Sequence, residues 1–503
     1  MKKSAPAPQA SARQTEPPAH PAGRGFGLVL GGLVIAFALV RLGGMFNDLW
    51  LDELWSLKLV EAIKSPVEIF TKLQHDNNHP LNSLYLYLVG PAGAGWSYRL
   101  LSWLAGSATV WLAALIARRQ FQQLHPEEAE GRANAAALFT AVLVGGSYLL
   151  IHYSSEARGY APAVAFSLLA FHALLHASGP RWGGWAAVYG LACVLGLLSH
   201  LATVQVMLAG AVWTVGEVIR ARAPTRAQLW RAACWQLPSW LFFAAYYAGF
   251  VRHMEIGGGP EHPLLGVLGE VAAYGLGFPV QAGVAMALPL FLGVALVALG
   301  LMWRRSVALV IFYALVIFAT PALGLIFSHF TLLFPRYFVV SAAFALLPVG
   351  YAMARCWSLG RIWRGLCLAG LMLFLLGNGA HVTRLVQEGR GQYQAALRFL
   401  AARTPFRDVT VSSDHADRNL VVVDYYRQVA GADRKIWFYS ADRLPPRGAQ
   451  WLLLHRLDGE PPPGESAVDG RGNRYVLERV FRHAALSGWD WFVYRNEQLP
   501  PAR

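Results

Sequence analysis

Long apolar runs separated by short polar breaks occupy the chain up to about residue 380, and a charged, strand-like pattern takes over after that. The runs fall at roughly 26–43, 97–117, 134–153, 161–178, 182–199, 201–219, 232–251, 283–303, 306–328, 337–356 and 363–380. Most approach the ~20 residues a helix needs to cross a bilayer. The pattern therefore predicts a mainly α, polytopic membrane protein with about eleven transmembrane helices. Between the first two runs, in an outer loop at 45–96, Leu51, Leu54, Trp55, Leu59 and Ile63 recur at helical spacing among Lys58, Glu61 and Lys64. This is the pattern of a helix lying on the membrane surface. Ser65-Pro66-Val67-Glu68 reads as a capping box with proline at the first helical position, so a second short helix is expected there. Leu81–Val89 is too short to span and is placed as a further juxtamembrane helix on the same side.

From about 381 onward, Pro445-Pro446 and Pro461-Pro462-Pro463 punctuate a polar stretch. Strands are expected at 408–411, 435–439, 451–454 and 491–494, and helices at 392–402 and 418–429. The expected organisation is a disordered cytoplasmic N-terminus at 1–24, a transmembrane domain at 25–380, and a small soluble α/β domain at 381–503.

Charge gives the runs a direction. The 503 residues carry a formal charge of +14 with only 14% charged residues, and the excess sits in short loops rather than in a nucleic-acid-binding stripe. Arg118, Arg119 and Arg132 share one loop, Arg181 lies in the next on that side, then Arg220, Arg222, Arg226 and Arg231, then Arg304 and Arg305, then Arg355, Arg361 and Arg364. Every second loop is basic. By the positive-inside rule these loops and the N-terminus are cytoplasmic, which places the 45–96 loop and the C-terminal domain outside a plasma membrane such as a bacterial inner membrane. The four cysteines lie in or beside apolar runs without metal-ligand spacing, so neither disulfides nor a zinc finger is expected. There is no glycine-rich phosphate loop and hence no expected nucleotide.

The chemistry-bearing residues gather on the predicted outer face. Asp52 and Glu53 follow the first span; His75 and His79 lie in the same loop. Glu156, Arg158 and Tyr160 lie between two spans, His200 ends another, and Arg336 and Tyr337 precede a later one. Each has a plainer reading. Asp52 and Glu53 fit the first turn of an interfacial helix, where the dipole favours negative charge; Glu156 and Arg158 fit a local ion pair, His79 a turn, His200 an interfacial histidine, and Arg336 a snorkelling side chain. His75 and His79 have helical metal-pair spacing, but Asp76-Asn77-Asn78 and Pro80 oppose a helix there, so no metal or other cofactor is expected. A carboxylate and an arginine fork together suit attack by a hydroxyl or amine on a phosphate-activated carbon: the acid takes the proton and the guanidinium steadies the departing phosphate. Outside a membrane there is no nucleotide pool, so such a donor would arrive on a lipid.

The order Asp52-Glu53, His79-Pro80-Leu81, Tyr98-Arg99-Leu100-Leu101-Ser102, Tyr153-Ser154-Ser155-Glu156-Ala157-Arg158-Gly159-Tyr160, His200 and Pro335-Arg336-Tyr337 resembles glycosyltransferase family 39, the dolichyl-phosphate-mannose protein mannosyltransferases, whose C-type membrane fold is shared with the lipid A aminoarabinose transferases. The resemblance covers about 26–380. It implies inverting transfer from a polyprenyl-phosphate sugar to a protein, lipid or glycan acceptor, with Asp52 as base, Glu53 beside it as a second catalytic candidate, and Arg336 and Arg158 at the donor phosphate. His79, Glu156, Tyr160, His200 and Tyr337 are the expected substrate-binding residues. Two other classes compete: a polytopic lipid or sugar transporter or flippase, which should show broken helices or charges deep in spans, and an inactive scaffold whose tail binds a partner.

Overall fold

The structure, a computed structural model, describes residues 24–91, 93–221, 223–259, 261–328 and 332–498. The expected disordered N-terminus lies, apart from Arg24, outside the described residues, as does Arg222 of the basic loops. Helix α1 (Arg24–Leu42) leads into α2 (Leu51–Glu61), the single turn α3 (Glu68–Thr71), α4 (Pro80–Val89) and α5 (Gly95–Tyr98). The bundle continues with α6 (Leu100–Leu124), α7 (Glu130–Gly146), α8 (Tyr148–Ser154), α9 (Tyr160–Leu174), α10 (Trp182–Ser199), α11 (Val204–Arg220) and α12 (Arg226–Gly249). It closes with α13 (Leu264–Leu276), α14 (Val280–Trp303), α15 (Val307–Ala314), α16 (Thr320–Ser328), α17 (Val339–Trp357) and α18 (Arg361–Glu388).

Each of the eleven apolar runs coincides with a helix or a helix pair. Among the described residues seven helices are long and apolar enough to cross a membrane, or eight if α7 and α8, bent by 62° at Ser147, count as one. The chain is a multi-pass membrane protein. The backbone N–H that the bend frees at Tyr148 is taken by the Asn378 side chain of α18 at 2.6 Å, which is how a broken helix survives in an apolar setting. Helices α15 and α16 are joined by a π-helical stretch, Leu315–Ala319. Helix α13 has no counterpart among the expected elements. The proposed second juxtamembrane helix is present but only one turn long, and its Glu68 carboxylate accepts from the Lys64 N–H at 3.0 Å rather than completing a box with Ser65.

Beyond α18 come α19 (Tyr393–Arg403), α20 (Ala416–Tyr426) and six strands: β1 (Asp408–Ser413), β2 (Lys435–Tyr439), β3 (Trp451–Arg456), β4 (Ser466–Val468), β5 (Arg474–Phe481) and β6 (Asp490–Asn496). They form one mixed sheet of order β2-β1-β3-β6-β5-β4, with β1 parallel to both neighbours and the remaining pairs antiparallel. Strands β4 and β5 were not among the expected ones. Leu397, Leu400, Val409, Val411, Val422, Trp451, Trp491 and Val493 of this unit pack in one apolar cluster with Leu49, Trp50, Leu54, Leu57, Leu86 and Tyr98 of the first loop. The sheet unit and the juxtamembrane helices thus share a core, and α2 is gripped from both sides.

Candidate active site

The N-terminus of α2 places two neighbouring carboxylates in opposite circumstances. Glu53 is fully buried and saturated: Arg99 grips it with Nε to Oε1 at 2.7 Å and Nη2 to Oε2 at 2.6 Å. The Ala157 N–H donates to Oε1 at 2.7 Å and the Trp50 N–H to Oε2 at 3.2 Å, the second bond capping α2. Burial alone would raise its pKa, yet the Arg99 guanidinium outweighs that and holds it below the usual range. Asp52, one residue earlier, keeps a partly exposed side chain facing two guanidiniums, with Oδ2 3.2 Å from Nη1 of Arg336 and 3.7 Å from Nη2 of Arg158.

Both arginines are fixed by aromatic and polar neighbours rather than by a second acid. Arg158 donates to the Asn77 amide oxygen and to the Tyr160 hydroxyl at 3.1 Å. Arg336 stacks 4.1 Å over the Phe334 ring and 5.7 Å from Tyr337. His79, Tyr160 and His200 form a ring cluster, with centroids 5.2 Å apart from His79 to Tyr160 and again from Tyr160 to His200, and Tyr337 is 6.1 Å from His200. Burial, with Arg158 and Arg336 nearby, lowers the pKa of both histidines, His200 to about 3. Both are therefore neutral near pH 7, and the group carries two cations against one exposed anion. Gly159 lets the loop close on this cluster: a Cβ there would lie 1.9 Å from the Ser199 carbonyl oxygen.

Of the residues singled out in sequence, Asp52, Arg158, Arg336, His79, Tyr160, His200 and Tyr337 converge. Glu156 lies in a buried layer behind Asp52, where its Oε1 accepts from the Trp50 indole N–H and from Ser487 Oγ at 3.3 Å. Burial raises its pKa, and the neighbouring Glu53 carboxylate adds to the effect. His75 stands apart, with Nδ1 2.9 Å from Asp76. Sequence reasoning quoted Arg99 only within a motif and gave it no role, and it missed Trp50, Asn77 and Arg390 as site residues. A fully buried arginine such as Arg99 or Arg390 has no local signature, because its partners are 46 and more than 200 residues away. The His79 Nε2, Tyr153 Oη, Arg158 Nε and Arg336 Nε atoms are buried and make no hydrogen bond to any described residue. A polar ligand or water could complete these atoms, and others of the kind, His125 Nδ1 and Glu128 Oε2 among them, lie elsewhere in the chain.

Among the described residues the one His/carboxylate group with metal-ligand spacing is His125, Glu127 and Glu128, at the other end of α6. Arg305, Arg355 and Arg132 already pair with those two carboxylates, leaving no net negative charge to draw a cation.

The whole architecture matches a solved one. Superposition on ArnT from Cupriavidus metallidurans in the apo state gives a TM-score of 0.51 at 11% identity, covering 93% of this chain and 97% of that one. The fold is of the C-type membrane glycosyltransferase kind. ArnT bound to undecaprenyl phosphate gives 0.50, also at 11% identity, with coverage of 94% and 98%. The archaeal oligosaccharyltransferase AglB from Archaeoglobus fulgidus, in complex with an inhibitory peptide and a dolichol-phosphate, reaches 0.49 at 10% identity over 85% of this chain and 69% of that one. No family model and no curated protein matches the sequence. The C-type fold expected from the order of the sequence motifs is therefore present.

Proposed function

We propose that this chain is a membrane glycosyltransferase that moves a sugar from a polyprenyl-phosphate donor to an acceptor hydroxyl or amine, with inversion, on the membrane face that carries Asp52. The observation that carries the reading is a partly exposed carboxylate held between two guanidiniums, amid neutral histidines and buried polar atoms without partners. Two cations against one anion is a site awaiting a further anion, and the ArnT structure with undecaprenyl phosphate supports a polyprenyl phosphate as that anion.

In this mechanism the donor phosphate draws Arg336 and Arg158 towards itself and loosens their hold on Asp52. Both make their nearest contact with the same oxygen, Oδ2, so Oδ1 is assigned as the oxygen that takes the proton. The acceptor oxygen or nitrogen attacks the anomeric carbon, its proton passes to Asp52, and the bond from that carbon to the phosphate oxygen breaks. The charge that develops on the leaving polyprenyl phosphate is met by the two guanidiniums. His200 receives the Ala202 N–H on Nδ1 at 3.1 Å, so its neutral ring carries its proton on Nε2, as a donor suited to a sugar hydroxyl. Glu53 has a structural part here, since all its contacts are spoken for.

The 62° break between α7 and α8 favours transport as a second reading, because transporters bind at broken helices. Against it, the freed backbone group is already satisfied by Asn378. Purified protein given a polyprenyl-phosphate sugar decides between them: release of free polyprenyl phosphate together with a glycosylated acceptor supports transfer, whereas movement of intact donor across a vesicle membrane supports transport.

A further inference from the structure

Three distant parts of the chain meet at one buried carboxyl. Trp50 comes from the start of α2, Glu156 from the loop between α8 and α9, and Ser487 from the loop joining β5 to β6. That last loop is pressed into the membrane domain. His152 Nε2 lies 2.9 Å from Ser487 Oγ, the Tyr148 hydroxyl donates to the Ala485 carbonyl at 2.9 Å, and a Cβ on Gly488 would lie 1.6 Å from the Arg390 carbonyl oxygen. Leu486 stands at φ 86, the one positive-φ non-glycine among the described residues, held there by an N–H bond to Asp458 at 3.1 Å. A leucine in this region is strained, and strain persists where the surroundings over-determine it.

We propose that Glu156 is a positioning residue: by accepting from Trp50 and from Ser487 it fixes the first turn of α2, and with it Asp52, against Arg158, so that the C-terminal sheet unit is a working part of the active site. This rests on the glycosyl-transfer reading. Trp50 lies two residues before Asp52, and Glu156 two residues before Arg158, so the Trp50–Glu156 bond ties together the segments that carry the base and one phosphate ligand. Ser487 closes the tie from the far domain. Glu156 itself touches neither donor nor acceptor in this scheme, and what it supplies is an acceptor oxygen, which a glutamine also supplies.

The test uses the full-length protein in detergent or nanodiscs and reads two properties. Hydrogen–deuterium exchange of the backbone at 50–56 reports the tie without any turnover, so it stands even if the transfer reading fails. Glu156→Ala and Ser487→Ala should raise exchange there while leaving the exchange of α6 and α17 unchanged; Glu156→Gln should match the parent. With a polyprenyl-phosphate sugar, Trp50→Phe and Glu156→Ala should lower kcat ~10-fold or more with little change in donor KM, and Glu156→Gln should restore it. Glu156→Gln as damaging as Glu156→Ala would make Glu156 an acid or base and overturn the proposal. So would unchanged exchange at 50–56 in both alanine variants. Global loss of protection in Glu156→Ala would mark misfolding of that variant. Ser487→Ala, which removes a single hydroxyl, would then decide: raised exchange at 50–56 supports the tie and unchanged exchange overturns it.

Discussion

Both ends of helix α6 meet clustered charges and use them differently. At the Arg99 end the charges are largely enclosed and unevenly matched: a partly exposed Asp52 faces both Arg158 and Arg336. At the His125 end, ~37 Å away at 1.5 Å per residue, the half-exposed Glu127 pairs with Arg305, and the more enclosed Glu128 with Arg132 and Arg355, so that each carboxylate has a cation of its own. The exposed Glu127–Arg305 pair is screened and contributes little. Buried mismatch is costly to maintain, and a fold keeps it where a ligand completes it. On the proposed function, the contrast separates a reacting centre from a fastening.

The strongest way to break the contrast is Asp52→Asn, which keeps shape and removes the proton acceptor. Turnover should fall ~10²–10⁴-fold while binding of the polyprenyl-phosphate donor is retained; normal turnover with lost donor binding would reassign the role. Next comes Glu53→Gln, which leaves the Arg99 guanidinium buried beside a neutral group. Losing one member of a buried pair costs about 3–5 kcal/mol, so this variant should unfold at markedly lower temperature than Asp52→Asn. Equal melting of the two would put Glu53 back among the reacting groups.

A smaller effect is expected from pH through His483 of the β5–β6 loop. Burial lowers its pKa, but the carboxylates of Asp490, hydrogen-bonded at 2.7 Å, and Asp458, 3.4 Å away, override that and raise it to about 9. A raised folded-state pKa stabilises fully below the unfolded value near 6.5 and is lost as pH climbs through about 9. Up to ~3 kcal/mol should therefore disappear between those limits, and His483→Gln should flatten the dependence of melting temperature on pH in that window. The smallest effect sharpens the comparison from the other end. Arg305→Ala removes a 3.3 Å contact between half-exposed side chains, so stability should change by less than ~1 kcal/mol and transfer not at all. A large loss of transfer would show that the two ends are coupled.

Much of this arrangement was legible in the chain. The apolar runs fall on helices because a bilayer demands continuous apolar length, a property that local sequence carries directly. Strands β1, β2, β3 and β6 were legible for a related reason: their apolar residues cluster tightly. Strand β5 was not, since Arg474, Glu478 and Arg479 interrupt it and its pairing with β6 carries a bulge between Leu477 and Arg479. The convergence of Asp52, Arg158 and Arg336 could be anticipated only as a shared membrane face. Their contacts depend on how α2, the α8–α9 loop and the turn at Pro335–Phe338 pack.

The sequence alone therefore determined that the chain crosses a membrane many times, that a mixed α/β unit follows, and that acids, histidines and arginines collect at one face. Only the tertiary structure decided which of two adjacent carboxylates faces the Arg158 and Arg336 guanidiniums. Asp52 and Glu53 differ by one residue and about 100° around α2, so one points to Arg99 and burial and the other to Arg158 and Arg336. Nothing in the local sequence distinguishes those directions. The distinction arises from which helices the folded chain places on each side of α2, and a buried ion pair forms only when partners distant in sequence arrive together.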